Sequence, residues 1–263
     1  SACAAAALGA KVRFVGKTGA DSHADRLKAI LQNHGVRTYL RPDPDCATGT
    51  TVAIGFQTGQ RHFLSWLPNN RTLKFKDLDL RALAATQHLL RADVWFSEQM
   101  LQDGNRKLLA AARAQGLRTS LDINFDPAWS SGPGREIRRR KMALRKVLPL
   151  VDVAHGNERE LCEFTDSPGL TTALERLSTW GAGSVVVHLG AKGAGYFTGD
   201  DLVIEPADKA RNPVQATGTG DVLSVCMILL DSQKGIGIRD KLRIANRVVR
   251  EFMEGKRILI PEL

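Results

Sequence analysis

The sequence predicts an α/β fold of three layers, with a mostly parallel central sheet between helices and a small β lid. Three observations carry this. From Asp93 onward, short apolar runs alternate with amphipathic ones in a regular rhythm. The strand-like runs, such as Val185-Val186-Val187, are continuously apolar, as strands covered on both faces are. Lastly, the turn Thr217-Gly218-Thr219-Gly220-Asp221 feeds directly into the apolar run 222–230, which reads as a buried helix.

Each element has its own signal. Residues 12–15 form a short strand closed by Gly16 and Gly19. Residues 21–34 form a helix with Leu27, Ile30 and Leu31 on one face and Gly35 as its stop. Strand-like runs at 50–56 and 61–66 are joined by Gln57-Thr58-Gly59-Gln60, a hairpin signal that interrupts the rhythm and reads as a flap. Then come a strand at 94–96, a helix at 105–115, a strand at 119–123, a helix at 135–148 and a strand at 151–154. A helix from about 158, another at 174–180 and a strongly apolar strand at 184–189 follow. A hairpin pairs 195–198 with 202–204, and a last helix spans 240–253. No repeat or long linker divides the chain, so residues 1–263 read as one domain, with 48–67 contributing the lid.

A hydrophobic content of 43% with 25% charged residues is ordinary for a soluble globular protein. The formal net charge of +9 suits an anionic ligand such as a nucleotide, sugar phosphate or nucleic acid. Much of the excess lies in Arg135, Arg138, Arg139, Arg140, Lys141, Arg145 and Lys146, a run best read as a solvated helix face. No aromatic residues interleave with it, which argues against nucleic acid. Cys3, Cys46, Cys162 and Cys226 are far apart, so neither a zinc site nor a disulfide framework is expected and a cytoplasmic location fits. The Ala-rich opening lacks the basic flank of a signal peptide, and no run approaches the ~18 apolar residues of a membrane span.

In open parallel sheets, ligands sit beyond the carboxyl ends of the strands. The 217–221 turn is an anion site on this logic. Its bare N–H groups and the following helix dipole favour negative charge. Asp221 in the first turn would be electrostatically awkward there unless it accepts a proton from a hydroxyl attacking a phosphoryl group. Gly190-Ala191-Lys192-Gly193-Ala194-Gly195 follows a strand but leads into another strand, so it reads as a glycine turn beside a nucleotide, not as a dinucleotide fingerprint. Asn157 and Glu160 could cap a helix or order a hydrated Mg²⁺. Asp122 and Asn124 follow strand residues and could be turn formers or ligands. Gly16-Lys17-Thr18 imitates the end of a P-loop, but Lys11 stands where the first Gly belongs.

Together these features resemble the ribokinase-like, PfkB-type carbohydrate kinases across nearly the whole chain. Thr217 to Asp221 matches the Thr-Gly-Ala-Gly-Asp signature except at Thr219; Asn157 and Glu160 match Asn-x-x-Glu. Asp122-Ile123-Asn124 with Trp129 resembles the Asp-x-Asn segment, Leu189-Gly190 with Gly193 the nucleotide-side turn, and Ala245-Asn246 a pair in the last helices. Leu8-Gly9-Ala10 followed by 12–16, Gly19, Asp21 and Gly35-Val36 resembles the early helix-strand-helix. The resemblance implies ATP-dependent phosphorylation of a sugar hydroxyl. It implies Asp221 as general base and the amides of Gly218, Thr219 and Gly220 as an anion hole. Asn157 and Glu160 would organise Mg²⁺ indirectly. His188, Gly190, Lys192, Gly193, Thr217 and Asn246 would border the nucleotide, and Asp122 and Asn124 the sugar. The lid would cover the sugar, and such lids often pair into homodimers.

The departures shape the expectation. The family opens with a strand carrying a sugar-binding Asp, lid strands and a Gly-Gly…Asn segment; the resemblance here begins just after that point, at Ser1, so about half of the sugar pocket has no counterpart. Gln215 stands where an Asp usually helps bind a monovalent cation, which argues against potassium use. His188 replaces a common Thr near the phosphates. Asp126 replaces a common basic residue, which favours a neutral sugar. Two other readings of the fold stay open: a non-catalytic nucleotide- or sugar-binding member, and a nucleoside kinase. The second is disfavoured by an aromatic content of 6%.

Overall fold

The computed structural model describes residues 1–55, 61–199, 201–215 and 217–260. The chain runs α1 (Ala2–Ala7), β1 (Arg13–Gly19), α2 (Ser22–Asn33), β2 (Arg37–Asp43), β3 (Thr50–Gly55), β4 (Arg61–Trp66), α3 (Pro68–Thr72) and β5 (His88–Arg91). It continues with α4 (Asn105–Ala114), β6 (Arg118–Asp122), α5 (Gly134–Arg145), β7 (Val153–Asn157), α6 (Glu158–Thr165) and α7 (Leu170–Thr179). It closes with β8 (Ser184–His188), β9 (Ala194–Thr198), β10 (Asp201–Glu205), α8 (Thr219–Asp231) and α9 (Ile238–Met253).

The central sheet has six strands in the order β10-β9-β8-β7-β6-β5. Strands β5 to β8 are parallel, and β9 and β10 are antiparallel additions at one edge. Alternation along β8 builds both covered faces. Val185 and Val187 pack into one core with Leu144, Leu161, Phe164 and Leu174 from the helices α5, α6 and α7. Val186 between them packs into the other, with Val222, Val225 and Cys226 of α8 and Leu242 and Ala245 of α9. A strand buried on both faces must be apolar throughout, which is why this segment reads so strongly in the sequence.

Two smaller sheets lie apart from the six strands: β1 with β2, parallel, and β3 with β4, antiparallel. The first differs from expectation. Strand β1 runs on through Gly19, and its partner β2 was not anticipated. Its sequence, Arg-Thr-Tyr-Leu-Arg-Pro-Asp, is mostly polar and nowhere fully buried, so its strand character comes from register with β1. Gly16-Lys17-Thr18 lies inside β1, with Lys17 Nζ 2.6 Å from Asp43 and 3.6 Å from Asp77; no P-loop forms there. The 57–60 turn expected between β3 and β4 falls outside the described residues.

The strand expected at 94–96 is corrected. The sheet strand is β5, and Val94 and Trp95 are buried in the turn beyond it, after Asp93 at φ 54°. Trp95 donates its indole N–H to Ile123 O at 2.6 Å and stacks edge-on with Trp129 and Phe164. Its apolarity therefore reports core packing and not strand pairing. The basic run of α5 is also only partly a solvated face. Arg140 bonds Glu98 and the fully buried Asp126, Arg139 pairs with Glu98 and Glu136, and the buried Lys141 reaches Asp166 and the Glu163 carbonyl. No helix among the described residues is long and apolar enough to cross a membrane.

Candidate active site

The polar residues singled out in the sequence gather at the carboxyl ends of β5 to β8, where the N-terminus of α8 meets them. Gly218 caps α8 at φ 91°, a left-handed conformation that glycine adopts without the strain a side chain would add. A Cβ on Gly220 would come within 3.1 Å of His188 Nδ1, so the helix start lies close against the end of β8. His188 is further held by Ser224, whose Oγ is 3.2 Å from Nε2. Burial pushes the imidazole down to about 4, against a smaller upward pull from Asp221, so His188 is neutral at physiological pH.

Asp221 occupies the first turn of α8. Its Oδ1 lies 3.0 Å from the Ser1 amino group, and the Ser1 hydroxyl donates to the same oxygen. Burial alone would raise this carboxyl. The Ser1 hydroxyl and His188 pull it the other way.

Three other carboxyls feel the same neighbourhood. Asp122, buried at the end of β6, is pushed up to about 7, by burial first and then by Glu160 and Asp221. Asp93 is pushed up by burial and by Asp221, partly offset by Arg91. Glu160 is pushed up by burial. The sequence reading passed over Asp93. Its backbone N–H donates to Asn124 Oδ1 at 2.9 Å, joining the ends of β5 and β6. Asp93 and Asn124 both sit at positive φ, 54° and 45°. Such strain in non-glycine residues gathers at functional sites, but it leaves no mark in a sequence.

Asn157 and Glu160 form a reciprocal cap on α6. Asn157 Oδ1 accepts from Glu160 N, and Glu160 Oε2 accepts from Asn157 N, each at 2.9 Å. Among the described residues no three His, Cys, Asp or Glu side chains converge to hold a metal. An amide and a carboxyl are oxygen donors of the kind that suit the waters of a hydrated Mg²⁺. Asn157 and His188 line an open cleft of about 360 Å³ with Glu158, Arg159, Cys162 and Leu189.

After β8, Gly193 turns at φ 111° against the 205–207 backbone; a Cβ would lie 2.0 Å from Glu205 O. Asn246 donates its side-chain amide to the carbonyls of Glu205 and Pro206, fixing that same segment. Gly190 is exposed and has open space around it. Lys192 is exposed, with Nζ 3.8 Å from Glu158. Thr217 is exposed at the turn. Gln215 donates its side-chain amide to Phe252 O at 2.7 Å. Asp126 is fully buried and paired with Arg140 at 3.1 Å, so it presents no free charge to a substrate and the charge argument built on it does not hold.

Known proteins agree with this architecture. A fructokinase of Vibrio alginolyticus is 25% identical over 223 residues, 84% of this chain and 70% of that protein. A cytidine kinase of Thermococcus kodakarensis is 27% identical over 96% of this chain and 85% of its own length. The structure of Vibrio cholerae O395 fructokinase, with fructose, ADP and calcium bound, superposes with a TM-score of 0.79 at 22% identity, covering 96% of this chain and 82% of that one. The fold is ribokinase-like. The model of the pfkB family carbohydrate kinases matches residues 1–248, and the chain belongs to that family.

Proposed function

We propose that this carbohydrate kinase transfers the γ-phosphoryl group of ATP to a hydroxyl of a small neutral sugar, with Asp221 as the general base. The observation that carries this is a carboxyl side chain in the first turn of α8, directly after the Gly218 turn and beside the end of β8. The sugar oxygen attacks the γ-phosphorus, the bond to the β–γ bridging oxygen breaks, and the hydroxyl proton passes to Asp221. ADP leaves with the electron pair. The amides of Gly218, Thr219 and Gly220 receive the charge on the moving phosphoryl group, aided by the helix dipole.

Magnesium, brought in on the ATP phosphates, would neutralise charge there, and Asn157 and Glu160 are the residues that would order its waters. His188, Gly190, Lys192, Gly193 and Thr217 border the nucleotide in this reading, and Asn246 shapes that side by holding the 205–206 carbonyls. Asp122 and Asn124, with Asp93, face the sugar. Asp221, which must be ionised to act as a base, repels an anionic acceptor, which supports a neutral sugar. We read 1–263 as one domain working in the cytosol, with β3 and β4 as a lid. Val52, Ile54, Leu64 and Trp66 share one exposed face of that pair, a surface suited to a second copy of the lid in a homodimer.

The test is ADP release from MgATP across a panel of fructose, ribose, 2-keto-3-deoxygluconate and cytidine, for wild type and Asp221→Asn. The wild type is expected to turn over a neutral sugar. Asp221→Asn should lose about 10²- to 10⁴-fold in kcat with ATP binding nearly unchanged. Full turnover in the variant refutes the base. Turnover of cytidine alone would establish the nucleoside reading, which the similarity to a cytidine kinase favours. Nucleotide binding without any turnover would establish a binding protein.

A further inference from the structure

Arg159 lines the 360 Å³ cleft with Asn157 and His188, yet no motif in the sequence assigns it a task. Its guanidinium lies over the face of Phe125, 5.1 Å from the ring centroid. Among the described residues it makes no ion pair. Its cationic neighbours differ. Lys192 has Glu158, and Arg139 and Arg140 are tied to Glu98, Glu136 and Asp126. An arginine held by stacking is positioned through its flat face, which leaves its in-plane N–H donors free to grip an anion in a bidentate way. Its charge reaches the site, where it opposes in part the upward push of burial on the Glu160 carboxyl.

We propose that Arg159 is a nucleotide-binding residue that grips the phosphate chain of ATP from the mouth of the cleft, steadied by Phe125. This rests on the reading of the site as an ATP site and adds a residue to it. The chain needs such a cation for a physical reason. Asp122, Glu160 and Asp221 lie near enough to one another to interact, and beside the Asp-x-Asn segment the family's usual cation is replaced by Asp126, itself paired with Arg140. Arg159, stacked on the residue between Asn124 and Asp126, supplies positive charge from the neighbouring strand end.

The experiment is calorimetric titration of MgATP and of adenosine into wild type, Arg159→Ala and Arg159→Lys, with KM for ATP and for the best sugar measured beside it. For Arg159→Ala, MgATP affinity should fall tenfold or more, adenosine affinity should stay within twofold, and KM for the sugar should hold. Arg159→Lys should recover only part of the loss, because an ammonium cannot grip two oxygens in a plane. The side chain is exposed, so melting temperatures should match and exclude a folding defect. MgATP affinity equal to wild type overturns the proposal, as does a loss confined to the sugar KM, which would move Arg159 to the acceptor side. A wild type that binds no nucleotide would instead defeat the ATP-site reading itself.

Discussion

Replacing Asp122 by Asn should make the protein more stable at pH 8 and leave it nearly unchanged below pH 4. Asp122 is buried at the end of β6, and its carboxyl is pushed from the ordinary 3.8 up to about 7. Burial is the main cause; Glu160 and Asp221 add repulsion, and hydrogen bonds from Asn124 offset part of it. Below the unfolded value both states hold the proton, so the folded state carries no penalty. Between the two values the folded state keeps a proton that the unfolded chain has released, and stability falls by about 1.4 kcal/mol per pH unit. Across the gap of roughly three units this sums to about 4 kcal/mol, all of it lost once the pH passes 7. Asn cannot ionise, so its curve lacks this slope. Urea unfolding of both proteins, followed by tryptophan fluorescence, should show the variant gaining about 3 kcal/mol on wild type between pH 5 and pH 8. Glu160 loses a like-charged neighbour in the variant, which adds in the same direction. Parallel curves for the two proteins over that range would refute the reasoning.

Gly193→Ala should cost about 2–3 kcal/mol, because φ 111° excludes a side chain and the new Cβ would meet Glu205 O; a thermal melt checks it, and ATP affinity should fall with it. Arg140→Met should destabilise by about 3–5 kcal/mol by stranding the buried Asp126, and adding Asp126→Asn should restore most of the loss in chemical denaturation. Leu64→Asp on the exposed lid face should convert the expected dimer to a monomer in light scattering; identical masses for both proteins would remove the lid as the contact.

The parts of this fold that could be read from sequence are those whose local chemistry and tertiary role agree. Helix α2 starts where Asp21 caps Ala24 N at 2.9 Å, and it stops before Gly35 at φ 73°. Strand β8 is apolar because two cores claim it. Where the two diverge, the reading slipped. Val94-Trp95-Phe96 is apolar because Val94 and Trp95 fill the core in a turn, while the true strand, His-Leu-Leu-Arg, mixes polar ends with half-burial. Strand β2 is written in polar residues and exists through its partner. In the site, glycine turns and the capped Asn157 pair carry spacing that survives in sequence. Asp93 and Arg159 do not. One is set by a strained backbone and a bond to Asn124, the other by stacking on a ring 34 residues away.

The same contrast explains how four carboxyls can share a site that must also admit a polyphosphate. Were all four ionised, their mutual repulsion and that of the ligand would be prohibitive in a partly buried place. The environments instead separate them. Asp93, Asp122 and Glu160 are pushed up by burial, toward the protonated form in which a carboxyl both donates and accepts a hydrogen bond, as a sugar hydroxyl requires. Asp221 differs, because the Ser1 hydroxyl donates to it and His188 lies near it, and both favour its ionised form. Titratable groups driven apart in this way mark distinct roles in proton transfer. In the proposed reading this leaves Asp221 as the proton acceptor at the start of α8, and backbone amides, a hydrated cation and Arg159 would neutralise the phosphate charge.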